Sequence, residues 1–124
     1  MKPLLLIACM APDRLMRVSM LAVSLGIEVK AVRESEWNQP LSALCGMASP
    51  LPQTQRAVIS EEIMVMARFE DALVDRFLRQ MRQSGLEPVR LKAVLTRYNQ
   101  HWPLAHLALQ LKKEAALMAG RNGK

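Results

Sequence analysis

Leu91-Lys92-Ala93-Val94-Leu95-Thr96-Arg97-Tyr98-Asn99-Gln100-His101-Trp102 holds the densest run of special side chains in the chain. It reads as a strand that delivers Thr96, Tyr98, Asn99 and Trp102 to the start of a final helix. An echo lies upstream, where Lys30-Ala31-Val32 precedes Trp37-Asn38-Gln39-Pro40-Leu41. Gly26-Ile27-Glu28 likewise matches Gly85-Leu86-Glu87. The matches stay in order at offsets of 59, 62 and 63 residues, which points to an internal duplication.

The remaining elements fall around this repeat. Leu4–Met10 and Ile63–Ala67 are continuous apolar runs of strand length, as expected for central strands covered on both faces. Ile27–Arg33 and Val89–Thr96 alternate instead, as edge strands with one solvated face do. A helix is predicted from Pro12 to Leu25, with Leu15, Val18, Leu21, Ala22 and Leu25 inward. Its outer Met16, Met20 and Val23 make it more apolar than an ordinary surface helix. A second runs from Glu70 to Ser84 on Leu73, Val74, Phe77, Leu78 and Met81, with acids at its start, arginines at its end and Gly85 beyond. A helical turn spans Pro40–Leu44. The last helix, Pro103–Ala119, buries Leu104, Leu107, Ala108, Leu111 and Ala115.

The fold class expected is α+β, with duplicated βαβ(α) units forming a ferredoxin-like four-stranded sheet with extra helices. A doubly wound parallel α/β sheet is the alternative. The length of 124 residues fits a single domain. Its first half is expected at about 3–47, the linker at about 48–60, where Pro50 and Pro52 sit among polar residues, and the second half at about 61–119.

Composition narrows the function. Net charge is +6, yet residues 1–75 carry seven Lys/Arg against nine Asp/Glu, and residues 76–124 carry ten against two. That basic second half suits an acidic or polyanionic partner, with Arg76, Arg79, Arg82, Arg90 and Lys112 as candidates. Five aromatic residues and the absence of an aromatic-rich strand motif make nucleic acid the weaker choice. Two cysteines, Cys9 and Cys45, lie in apolar surroundings and are expected to be buried and reduced, as in a cytoplasmic protein. Only eight residues precede Cys9, too few for a signal peptide. No run approaches the ~20 apolar residues of a membrane span.

The search for catalytic groups returns none. His101 and His106 are five residues apart and do not share a helix face. Cys9 has no base nearby in sequence. Neither apolar strand leads into a glycine-rich phosphate loop, and no His/Cys cluster has metal spacing, so no cofactor or metal is expected. Lys92, Thr96, Asn99 and Trp102 are candidate ligand-binding residues, because ligands favour the carboxyl ends of strands in α/β sheets. The same residues serve as turn and capping groups, and the echo near Trp37 favours that architectural role.

Met64-Val65-Met66-Ala67, the helix ending at Gly85, Leu91–Thr96, Asn99 and Trp102 together resemble a small bacterial family of uncharacterised proteins, catalogued only as a domain of unknown function. The resemblance covers Ile63 to about Glu114. Arg97-Tyr98 and Pro103 depart from the turn and capping residues expected there. The resemblance implies the strand–helix–strand–helix pattern and a bacterial source, and no mechanism. A non-enzymatic binding or self-association domain, a homo-oligomer, is therefore the expected function. Polyanion binding and a small-molecule enzyme at the strand-to-helix junction are the alternatives.

Overall fold

A computed structural model describes residues 2–53 and 55–122, with side chains described up to residue 118. The order is β1 (Leu4–Ala8), α1 (Pro12–Ser24), β2 (Glu28–Ala31), a 3-10 turn (Glu34–Glu36), α2 (Leu41–Leu44), β3 (Ile63–Ala67), α3 (Asp71–Gln83), β4 (Leu91–Val94) and α4 (Leu104–Asn122). The elements follow the expected order, but β1, β2 and β4 are shorter than the expected Leu4–Met10, Ile27–Arg33 and Val89–Thr96, the 3-10 turn is additional and α4 runs past Ala119.

The four strands form one mixed sheet ordered β2-β1-β3-β4. Every residue of β1 and β3 is buried, which is why the all-apolar runs occupy the centre. The edges, β2 and β4, carry Glu28, Lys30 and Lys92, charges that discourage further strand addition. One face packs Val18 and Ala22 of α1 and Phe77 and Met81 of α3 against Leu5, Ile7, Met64 and Met66. The other packs Leu41 and Leu44 of α2 and Leu104 and Leu107 of α4 against Leu6, Val65 and Leu91.

Strand order departs from both expected topologies. β1 pairs in parallel with β2 and β3 with β4, each as direct neighbours. A ferredoxin-like sheet would place a strand of the other unit between them. The doubly wound alternative fails at the centre, where β1 and β3 are antiparallel. Each unit is thus an ordinary βαβ crossover, and the two meet through their first strands. Antiparallel pairing needs no crossover helix, so the described residues between α2 and β3 can pass from one unit to the other without a helix or strand.

The halves correspond closely. α1 and α3 are 13 residues each and start 59 positions apart, as do β1 and β3. Cys9 and Arg68, the residues that leave the two central strands, both take φ 61°, a left-handed conformation uncommon outside glycine. From β2 onward the offset is 63, since Leu4↔Glu28 in the first unit is matched by Ile63↔Leu91 in the second. Lys30 therefore corresponds to Ala93, and the Lys-Ala-Val identity seen in the sequence is out of register by one residue. A one-residue slip exchanges sheet faces.

Candidate functional site

The junction after β4 is held by its own side chains. Asn99 Oδ1 accepts from Thr96 N–H at 2.8 Å, and Thr96 Oγ1 accepts from Asn99 N–H at 3.1 Å and from Tyr98 N–H at 3.2 Å. Asn99 Nδ2 donates to the Val94 carbonyl at 3.1 Å. Reciprocal bonds of this kind stop a strand and start a turn. The first unit repeats the device at equivalent positions, where Arg33 N–H donates to Glu36 Oε1 at 3.2 Å. Trp102 packs against the α2/α4 core and meets His106 edge-on, 4.9 Å between ring centroids. Asn99→Ala is expected to cost about 0.5–1 kcal/mol, because two backbone groups at an exposed turn exchange their side-chain partner for water; the midpoint of urea denaturation measures it.

The four candidate ligand residues do not converge. Lys92 points to the α1/α3 face, opposite Trp102; its Nζ donates to the Val89 carbonyl at 3.1 Å and it edges a small cavity of about 80 Å3 with Leu78, Met81 and Arg82. Thr96 and Asn99 spend their polar atoms on the turn.

The five candidate polyanion residues are also divided. Arg76, Arg79 and Arg82 are exposed on α3, whereas Lys112 lies on α4 across the sheet, with Nζ donating to Ser60 Oγ at 3.0 Å. Arg90 grips Glu61 through two bonds of 2.6 and 2.7 Å. Its guanidinium holds the Glu61 carboxyl below the usual carboxylate range. Arg90 is thereby partly neutralised as an anion ligand.

A cavity of about 490 Å3 sits at the first unit's junction, lined by Glu34, Ser35, Asn38, Gln53, Gln55 and Arg56. Sequence reading missed it because part of its wall, Gln53, Gln55 and Arg56, comes from the irregular stretch between the two units. Gln39 ties that segment down, its side-chain amide donating to the Leu51 carbonyl at 2.7 Å and accepting from Leu51 N–H at 2.9 Å. Glutamine before a proline is a weak signal for such a clamp. The lining supplies amides, the Ser35 hydroxyl, one carboxylate and one guanidinium.

Cys9, expected to be buried, is exposed, because the left-handed backbone at the end of β1 turns it out of the strand. Its Sγ donates to the Ile59 carbonyl at 3.2 Å, and desolvation and then the Glu34 charge push the thiol pKa up. Cys45 is buried, and desolvation raises its pKa as well. Raised thiol pKa values stabilise the fold below the unfolded-state pKa, and that contribution fades as pH rises through the folded one. Cys9 is therefore expected to react with iodoacetamide more slowly than free cysteine at pH 7.5, and Cys45 only on unfolding. Mass spectrometry of timed samples measures both. Among the described residues, no group of three His, Cys, Asp or Glu could hold a metal ion, and no helix is long and apolar enough to cross a membrane.

The outer faces of α1 and α3 differ where the units are otherwise alike. Met16, Met20 and Val23 are 60%, 68% and 65% exposed, at the i, i+4, i+7 spacing of one helix stripe. Their counterparts, 59 positions on, are Asp75, Arg79 and Arg82, all exposed. Below the ridge, Arg17, Met20 and Leu21 of α1 form a shallow open cavity of about 340 Å3 with Ser84 and Leu86.

These features define an α+β chain of two βαβα units. Residues 62–118, the second unit, match the family described as a domain of unknown function (DUF3783), in agreement with the resemblance read from the sequence. No curated protein and no solved structure matches the chain.

Proposed function

We propose that this protein is a non-enzymatic binding domain, made by duplication of one βαβα unit, that self-associates through the outer face of α1. The Met16–Met20–Val23 ridge carries this reading. Three large apolar side chains stand in one exposed stripe, and contiguous exposed apolar surface of this kind marks contact sites. The equivalent stripe of α3 is charged, so the unit folds well without an apolar ridge there. Methionine suits a helix–helix contact because its side chain adapts to the facing surface. Two free thiols fit a reducing, cytoplasmic setting. Duplication rests on the matched element lengths, registers and left-handed turns.

Light scattering coupled to size exclusion tests the association, with a dimer of twice the 14.0 kDa chain mass expected at tens of micromolar and a monomer contradicting it. The polyanion reading keeps one supporting observation, the exposed row Arg76, Arg79 and Arg82. Its test is a salt titration of RNA binding, where an affinity that is absent at low salt or insensitive to salt rejects it.

A further inference from the structure

We infer that the contact between the two halves is a complete self-complementary interface, the kind that joins two identical subunits, and that its natural occupant is a second βαβα unit whether or not a peptide chain connects them. In a two-fold interface, if residue i meets residue j of the partner, then j meets the partner's i. Leu4 pairs with Ala67 and Ala8 with Ile63; Leu5 pairs with Met66 and Ile7 with Met64. Subtracting the 59-residue offset turns each of these into the reciprocal of the other, with Leu6 and Val65 facing each other at the centre.

A second, separate contact obeys the same rule. Leu41 N–H donates to the Trp102 carbonyl at 2.9 Å, and Leu104 N–H donates to the Gln39 carbonyl at 3.2 Å. Ser42 N–H donates to the Gln100 carbonyl at 2.7 Å, and Ala105 N–H to the Trp37 carbonyl at 2.9 Å. At the 63-residue offset these four bonds are two reciprocal pairs, centred on the Pro40–Pro103 bridge. This explains the echo between Trp37–Leu41 and Asn99–Leu104: the two stretches are each other's partner.

Neither half is closed without the other. Alone, each would expose the edge of a strand buried on both faces, together with the unpaired backbone ahead of α2 or α4. The family match, residues 62–118, lies within one unit and includes β3 and the Gln100–Ala105 stretch, so the matched segment carries a whole copy of this surface. The surface lies apart from the α1 ridge, so either conclusion can fail without the other.

The test is to insert the recognition sequence of a site-specific protease between Gln55 and Arg56 of the full chain and cut it. That cut breaks none of the reciprocal bonds. The expected result is two fragments that co-elute at the uncut mass with unchanged circular dichroism. Leu41→Ala and Leu104→Ala, made singly in the cut protein, should each weaken reassociation by at least roughly tenfold and to a similar degree. Fragments that separate or precipitate on cutting overturn the inference, as does a loss of reassociation at one of the two leucines only.

Discussion

Leu104→Ala is expected to lower the free energy of unfolding by about 3 kcal/mol, and Leu41→Ala by a similar amount. The two side chains are 1% and 0% exposed and enter the same core beside Leu6 and Val65. Truncation removes buried methyl groups and leaves a cavity that the short α2 and the start of α4 cannot close, since both are pinned by the bonds across Pro40 and Pro103. Leu104 opens a helix of 19 residues and Leu41 one of four, so local helix content alone would make the second far less costly. Equal losses therefore report the equivalence of the two positions within the packed pair. Urea denaturation followed by circular dichroism gives both values, and a difference well above 1 kcal/mol contradicts that equivalence.

Met20→Glu is expected to abolish association, turning a dimer at tens of micromolar into a monomer. Two ridges facing each other would bring two carboxylates into an apolar contact, and burying an unpaired charge costs several kcal/mol per ion. Met20 is 68% exposed in the single chain, so its replacement should change folding stability by no more than about 0.5 kcal/mol. Arg79→Glu, at the equivalent position of α3, is expected to leave association unchanged. Sedimentation equilibrium of the three proteins separates these outcomes. A dimer that survives Met20→Glu removes the ridge from the interface.

Much of the fold was legible in hydrophobic patterning. Continuous apolar runs identified β1 and β3 as central, alternation identified β2 and β4 as edges, and glycines at 26 and 85, both at positive φ, marked where α1 and α3 end. The direction of the central pair was not legible, because a strand buried on both faces has the same composition whether its neighbour runs parallel or antiparallel. Register misled in one place: the Lys-Ala-Val identity makes Lys92 the equivalent of Lys30, while hydrogen bonding pairs Leu6 with Lys30 and Met64 with Lys92, on opposite faces of the sheet. The junction was half legible. Thr96 and Asn99 announced a capped turn, but nothing local in the sequence said that the backbone of Gln100 and Trp102 would be used by Ser42 and Leu41. The cavity beside Glu34 and Arg56 was hidden for the same reason, since its wall includes Gln53, Gln55 and Arg56 from an irregular segment that Gln39 holds at Leu51.

The Thr96 and Asn99 side chains hold the strand-to-helix junction together, and the contact surface proposed here is the outer face of α1. Native mass spectrometry of the protein purified from its own cells, under conditions that retain bound molecules, tests this directly. A dimer of the chain carrying no small molecule is expected. A monomer that retains a small molecule would contradict it and return attention to the cavity beside Glu34 and Arg56.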